Sequence, residues 1–464
     1  MAPLRRFMSK DYTNISSQLF CAQRLTAEDP ITDFLTTSLS ATDGDFGLER
    51  DHLKTVLTAP LRRLQHKTQV FPLDVTSSAR SRLTHSLETA EYARLIIFFL
   101  VRQAPDFTPF ERQMTLCVST AALLHDVGNP PFGHFGEAVI RRFLHDLCAR
   151  CDNMLTDAQK IDLKAFNGNA QGLRIVHSIQ GLNLSLGQLA SMIKVPFTAP
   201  MLQRRGLDPI HAGVFLSEKQ VLTAINTKWP LRQRHPLSLV MELADDVAYS
   251  LADLEDAADK GLVPADSLLQ LLEKLSVLCK VDLSAFVPSR QAFFRAFATS
   301  RRTVLNALRE VLGALYVKQC AQALGQNAAT WLTQGTIDLS ALPACQAVQE
   351  LKRFEMRYVY AASEVESLEL TGAAYLQYLL HAYGQMTQVP YHEFARIIAG
   401  SGGDPYLLRL CHRISRRHLQ AYQVSVRQDP ASELYARIRL ILDYISGMTD
   451  TYAGAEYRLL SAGS

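Results

Sequence analysis

The stretch Ala121-Ala-Leu-Leu-His-Asp-Val-Gly-Asn-Pro-Pro-Phe-Gly-His-Phe-Gly-Glu137 places two imidazoles and two carboxylates within thirteen residues at the end of an apolar run. Its pattern predicts one helix from Thr115 to Asp126, stopped by Gly128 and the pair Pro130-Pro131, since proline has no backbone N–H to give and clashes inside a helix. A helix ending on His125-Asp126 presents an imidazole nitrogen beside a carboxylate oxygen. That mixed donor set suits first-row divalent ions and is tolerable to magnesium. Past the prolines, His134 and Glu137 stand three apart at the expected start of another helix and share a face, so they read as an acid with the carboxylate that orients it. The dipeptide alone carries little: His145-Asp146 lies in the charged run Arg141-Arg142-Phe-Leu-His-Asp-Leu-Cys148, without a glycine or proline stop, and reads as surface.

Working outward, 464 residues suffice for two or three domains and a large core. A hydrophobic fraction of 48%, a charged fraction of 20% and a net charge of +3 are those of an ordinary globular protein and give no general pull toward nucleic acid or membrane. The longest uninterrupted apolar run, Leu95 to Val101, is far short of the roughly 20 residues a membrane span needs. Basic residues near the N-terminus are followed by no apolar segment, so no secretory signal is read and a cytoplasmic location is expected. Eight scattered cysteines are read as reduced thiols, and the Cys148-x-x-Cys151 pair lacks the further ligands of a zinc site.

Residues 1–50 read as an N-terminal arm. From Asp51 to Gln69 the pattern is helical, with Leu57, Leu61 and Leu64 spaced by four and three, and Thr68 to Pro72 reads as a loop able to bring Gln69 to a ligand. Ser81 to Gln103 is the next helix, with Arg82 and His85 in its first turns; alone, His85 would read as a core histidine. Asn167-Gly-Asn-Ala-Gln171 opens a helix containing Arg174 and His177, and its amides could face an anion, though taken singly it is only a helix cap. In Pro236 to Asp256, Asp245, Tyr249 and Asp253 fall at i, i+4 and i+8 on one stripe among Leu, Val and Ala. Burying ionised aspartates costs several kcal/mol unless compensated, so the stripe faces either solvent or a metal and ligand. Helical patterns continue beyond Gly261, no strand-like alternation of any length occurs, and the fold class is all-α. Arg409 to His418 holds four arginines, two histidines and no acid, which reads as an anion site or a solvated basic face.

The order of His85, His125-Asp126 and Asp245 along a helical chain resembles that of the HD superfamily of metal-dependent phosphohydrolases. Six blocks, in order, resemble the bacterial deoxyguanosinetriphosphate triphosphohydrolases more closely: RRLQHKTQVFP (62–72), SRLTHSLE (81–88), HDVGNPPFGHFGE (125–137), GNAQGLR (168–174), MELADDVAYSLADLEDA (241–257) and DYISGMTD (443–450). The resemblance implies an HD-domain core over 51–265, with a C-terminal helical region over 266–464 packed on it. It implies metal ligation by His85, His125, Asp126 and Asp245, where Asp245 is preferred to Asp246 because the ligand precedes the site tyrosine by four. It further implies catalysis by His134 with Glu137, and a nucleotide site lined by Gln69, Arg82, Asn169, Lys194, Tyr249, Asp253 and Arg409.

The expected cofactor is one divalent ion per subunit, Mn2+ or Mg2+ first, with Fe, Co, Ni and Zn open. The expected reaction converts dGTP, or another dNTP, and water to the deoxynucleoside and tripolyphosphate. A homo-oligomer, commonly a hexamer, and a single-stranded DNA effector are implied partners. Two departures bear on base preference and triphosphate grip. Phe166-Asn167-Gly168-Asn169-Ala170-Gln171 has Asn where the family has Glu, and His211-Ala-Gly-Val-Phe-Leu-Ser-Glu218 stands for a segment ending GYYLSE, commonly preceded by Lys-Pro. The alternatives are another HD-domain nucleotidase or phosphodiesterase, and a single-stranded-DNA-binding regulator with a vestigial pocket.

Overall fold

The computed structural model describes residues 23–25, 44–73, 80–228, 234–282 and 289–462. Among these residues all regular elements are helical, and the β contact is an isolated antiparallel bridge between Thr68 and Ser81. The helices that position the site are α1 (Gly44–Leu57), α2 (Arg82–Gln103), α3 (Glu111–Leu124), α4 (Gly133–Arg150), α5 (Gly168–Arg174), α6 (Pro236–Asp259), α7 (Arg301–Gln326), α8 (Pro343–Glu355), α9 (Ser363–Gly384), α10 (Pro405–Arg413), α11 (Glu433–Ser446) and α12 (Asp450–Ser461).

Helix α2 is the axis of the first layer. Ser81 caps it by accepting from Thr84 N at 3.3 Å, and Ala104 ends it just before Pro105. Its buried face carries His85, Thr89, Ala93, Ile96, Ile97 and Leu100, against which α3, α6 and α7 pack. This first apolar core extends from Leu48 to Val365. A second joins Phe132, Ile140 and Leu144 of the α4 region to Leu376 and Leu380 of α9 and to Ile441 and Ile445 of α11. Each such side chain withdrawn from water contributes roughly 1.5–3 kcal/mol, so burial in this second core holds α4 against the C-terminal helices.

Several boundaries differ from the expected ones. Helix α1 starts at Gly44, inside the expected arm, and the continuous helix read from Asp51 to Gln69 breaks at Thr58. The chain resumes as Ala59–Arg63 with Pro60 in its first turn, then tightens into a 3-10 turn over Leu64–His66. The proline explains the break, since it can begin a helix but not continue one. Helix α3 runs from Glu111 rather than Thr115 and ends at Leu124, leaving His125 as its C-cap with helical dihedrals (φ −59°, ψ −32°) and Asp126 in the turn beyond. Arg174 ends α5, and His177 lies in a π-helical turn, Ile175–Ile179, rather than in the same α-helix.

The turn after Asp126 sits directly on α5. A Cβ on Gly128 would lie 2.0 Å from Gly168 O and 2.1 Å from Gly172 N, so only glycine allows this backbone contact. His145 and Asp146 are exposed on α4, as their context implies. Cys148 and Cys151 are buried and free. No helix among the described residues is long and apolar enough to cross a membrane.

Candidate active site

The end of α3, the first turns of α2 and the middle of α6 converge. His85, His125 and Asp126 each offer a ligand atom, and these atoms lie within 4.8 Å of one another. Asp245 joins them: its Oδ1 is 3.0 Å from His85 Nε2 and 3.4 Å from His125 Nε2. His125 Nδ1 is 2.6 Å from Ala122 O, a contact that requires the proton on Nδ1 and turns the Nε2 lone pair toward the carboxylates. That Nε2 is buried and makes no hydrogen bond. Buried nitrogens without a partner are rare because their desolvation goes uncompensated. Two imidazoles and two carboxylates gathered together are a donor set that fits a divalent ion.

Each carboxylate is backed by a cation. Arg82 Nη1 lies 3.0 Å from Asp126 Oδ2, and Lys194 Nζ lies 2.9 Å from Asp245 Oδ2. Gln69 Nε2 reaches Asp126 Oδ2 at 3.4 Å, and the Asn129 side-chain amide donates to Oδ1. Burial pushes the Asp126 carboxyl up, but Arg82 and the two histidines outweigh it and hold the group well below the ordinary carboxylate range. At Asp245 burial is likewise outweighed, by Lys194 and His125. Both aspartates are ionised at neutral pH, as ligands must be.

These residues line a cavity of about 620 Å³, within the size range of small-molecule sites. On another wall stands the second pair. His134 Nδ1 lies 3.2 Å from Glu137 Oε2, with the histidine side chain 91% exposed and the glutamate 9%. The Glu137 hydrogen bond raises the His134 pKa above its ordinary value, and its charge adds to the effect. Burial acts to raise the Glu137 carboxyl, but the bond from His134, the His134 charge and the Gly168 amide together bring it below the usual value. Gly168 N donates to Glu137 Oε1 at 2.6 Å. The helix start at Asn167 reads from the sequence as a cap whose amides could face an anion. Its anion is the protein's own Glu137, and Ala170 N is taken by the Asn167 cap at 3.0 Å.

The HD domain family matches residues 82–152, and the phosphohydrolase-associated domain family matches residues 342–459. A protein of Pseudomonas aeruginosa named "Probable deoxyguanosinetriphosphate triphosphohydrolase" is 34% identical over 467 residues, covering 90% of this chain and 93% of its own length. Proteins of Yersinia pestis and Klebsiella pneumoniae named deoxyguanosinetriphosphate triphosphohydrolase are each 32% identical, over 89% of this chain and 93% of their own. The chain belongs to the deoxyguanosinetriphosphate triphosphohydrolase family. The HD match contains His85, His125 and Asp126, whereas Asp245 lies outside it and reaches the site through α6.

For this member of the deoxyguanosinetriphosphate triphosphohydrolase family, the cavity gathers all four metal-ligand candidates, His134 and Glu137, and six of the seven nucleotide-site candidates: Gln69, Arg82, Asn169, Lys194, Tyr249 and Asp253. Arg409 is not brought in; it is exposed on α10 and does not line the cavity. Its neighbours in the basic run are partly engaged elsewhere, Arg413 with Glu456 and Arg417 with Gln180.

Sequence reading missed Tyr360. It closes the π-helical turn after α8, stacks on Tyr249 with ring centroids 6.4 Å apart and planes 8° apart, and bonds to the Tyr249 hydroxyl at 2.6 Å. Its hydroxyl also donates to Asp253. Burial pushes the Asp253 carboxyl up to about 7. Nothing in the run Phe354-Glu-Met-Arg-Tyr-Val-Tyr360 announces this role, because packing across 107 positions brings the pair together.

Proposed function

We propose that the protein hydrolyses deoxynucleoside triphosphates, dGTP first among them, to the deoxynucleoside and tripolyphosphate, using one Mn2+ or Mg2+ ion per subunit. One observation carries the reading: four converging ligand groups share a cavity with a histidine–carboxylate pair that ligates nothing. Held by His85, His125, Asp126 and Asp245, the ion supplies Lewis-acid activation when bound.

The chain's own residues do the rest. Water adds its oxygen to the α-phosphorus, keeping one proton and losing the other to solvent, as the bond from phosphorus to the 5′-oxygen breaks. That alkoxide is a poor leaving group, and His134, whose hold on a proton Glu137 strengthens, is the group that gives it a proton and is recharged from solvent. Arg82 and Lys194 place two positive charges at the metal end of the cavity, where the triphosphate charge must be met. Tyr249 is fixed by Tyr360 and cannot swing aside easily, so it forms a wall against the sugar. A filled space rejects an added 2′-hydroxyl where an apolar slot would not. Gln69 and Asp253 serve the 3′ side.

The family resemblance supports a homo-oligomer, a hexamer in its common form, and a single-stranded DNA effector, and the free cysteines accord with a reducing cytoplasm. The deciding experiment incubates purified protein and Mn2+ or Mg2+ with each dNTP and NTP and separates the products. Deoxyguanosine with tripolyphosphate is expected. Release of phosphate or pyrophosphate, or cleavage only of monophosphates or cyclic nucleotides, would assign a different phosphohydrolase activity.

A further inference from the structure

The block Asp443 to Asp450 contributes no residue to the cavity, yet it resembles the family as closely as the blocks that do. Its two terminal carboxylates show what it holds. Asp443 grips α5, accepting from Arg174 Nη2 at 2.7 Å and Gln171 Nε2 at 2.9 Å. Asp450 is 2% exposed and faces the site from behind. Its Oδ2 accepts from both Thr68 N and Thr68 Oγ1 at 3.0 Å, and its Oδ1 accepts from Phe132 N at 3.1 Å.

Those two partners sit at the hinges of the site. Thr68 immediately precedes Gln69 and pairs with Ser81 across the isolated bridge, while Arg82 N donates to Lys67 O at 2.8 Å. The segment anchored by Asp450 is therefore the one that fixes the start of α2, with Arg82 and His85. Phe132 stands two residues before His134, at the N-cap of α4, where it makes no side-chain cap and adopts the left-handed conformation at φ 63°. A bulky residue remains there only when its surroundings over-determine it. The Asp450 oxygen holds its amide, and α9 closes on its ring so tightly that a Cβ on Gly372 would lie 2.4 Å from it.

We infer that Asp450 is a positioning residue: one carboxylate from the C-terminal region sets the Gln69 loop and the left-handed start of the His134–Glu137 helix in register with each other. The inference rests on the reading that Gln69 and His134 serve the nucleotide site. The simpler account is that Asp450, as first residue of α12, only stabilises that helix through its dipole. Against it, each of the three hydrogen bonds that Asp450 accepts leaves α12 for a segment of the site.

The test uses the full-length protein and compares Asp450→Asn with Thr449→Ala. The carboxamide keeps the shape but turns an N–H toward one of two N–H donors. Thr449→Ala removes the α12 cap, which accepts from Tyr452 N at 3.2 Å, and leaves the clasp alone. In Asp450→Asn, hydrogen exchange over residues 64–72 and 129–137 is expected to speed up, and kcat/KM for dGTP to fall about ten- to a hundredfold, mostly in kcat, as small misplacements of catalytic groups do. Thr449→Ala should lower Tm yet keep kcat/KM within about twofold of wild type, since a lost cap weakens the helix and not the clasp. Unchanged exchange in both segments would overturn the inference, as would an equal kcat/KM loss in Thr449→Ala at matched Tm. If the wild-type protein hydrolyses no dNTP, the functional reading fails instead, and exchange in the two segments alone decides whether Asp450 holds them.

Discussion

Replacing Glu137 by Gln preserves shape and removes one charge beside His134. The carboxamide oxygen can still accept from Gly168 N, so α5 stays docked, while the imidazolium loses its counter-charge at 3.2 Å. Because the His134 side chain is 91% exposed, the water-like limit applies, and Coulomb's law then gives about 1.3 kcal/mol. The sign follows from the direction of the shift: Glu137 raises the His134 pKa, so its removal lowers it. Donation to the leaving oxygen needs the protonated ring, hence kcat falls as pH rises through that pKa, and the fall should come at lower pH in Glu137→Gln. The assay is kcat for dGTP against pH, read as deoxyguanosine formed, for wild type, Glu137→Gln and His134→Ala, the last lacking this limb. An alkaline limb at the same pH in wild type and Glu137→Gln would refute the role of the charge, and a uniform loss at every pH would assign Glu137 to orientation alone.

Four further outcomes are expected. His125→Ala and Asp126→Ala should each lose bound metal and activity while remaining folded; a full metal equivalent by elemental analysis in both variants would exclude them as ligands. Tyr249→Ala should narrow the ratio of kcat/KM for dGTP over GTP, whereas a ring that merely packs would lose roughly 3 kcal/mol of stability and leave the ratio unchanged. Tyr360→Phe keeps the stacked ring but strips Asp253 of a donor and the Tyr249 hydroxyl of its partner, and should cost about 1–3 kcal/mol in denaturant unfolding; no loss would show that the bonds contribute little. Asp253, raised from 3.8 to about 7, binds its proton more tightly folded than unfolded, so its contribution to stability is full below 3.8 and lost as pH rises toward 7. Asp253→Asn should accordingly gain on wild type as pH rises through that window, and a constant difference between the two proteins would refute it.

What was legible in the sequence was whatever lies within one helix turn or one loop. His125 and Asp126 are adjacent, His134 and Glu137 share a face, and Asp245, Tyr249 and Asp253 form one stripe, so local periodicity fixed their relation before any packing was known. The all-helical class followed from the same periodicity. The helix ends were less legible because they depend on which backbone groups find partners, and Pro60 and the Asn167 cap settled them locally.

The rest depends on contacts no spacing encodes. The amides at the start of α5 read as a helix cap able to face an anion, and spacing could not show that Glu137, 31 residues away on another helix, takes the Gly168 amide. Tyr360 and Asp450 reach the site across still longer separations, 107 positions to Asp253 and 382 to Thr68. Both come from the C-terminal region, whose residues 342–459 match a family described only as associated with phosphohydrolases. The geometry gives that association a physical content. Helix α8 leads to Tyr360, which backs Tyr249, and the Asp443–Asp450 block holds α5, the Gln69 loop and the start of α4 from behind. The proposed metal ligands lie between residues 85 and 245 on helices that pack on one another, whereas the Gln69 loop and the start of α4 are tied to the C-terminal region through Asp450. Substitutions far outside the HD match should therefore change turnover while leaving metal content intact.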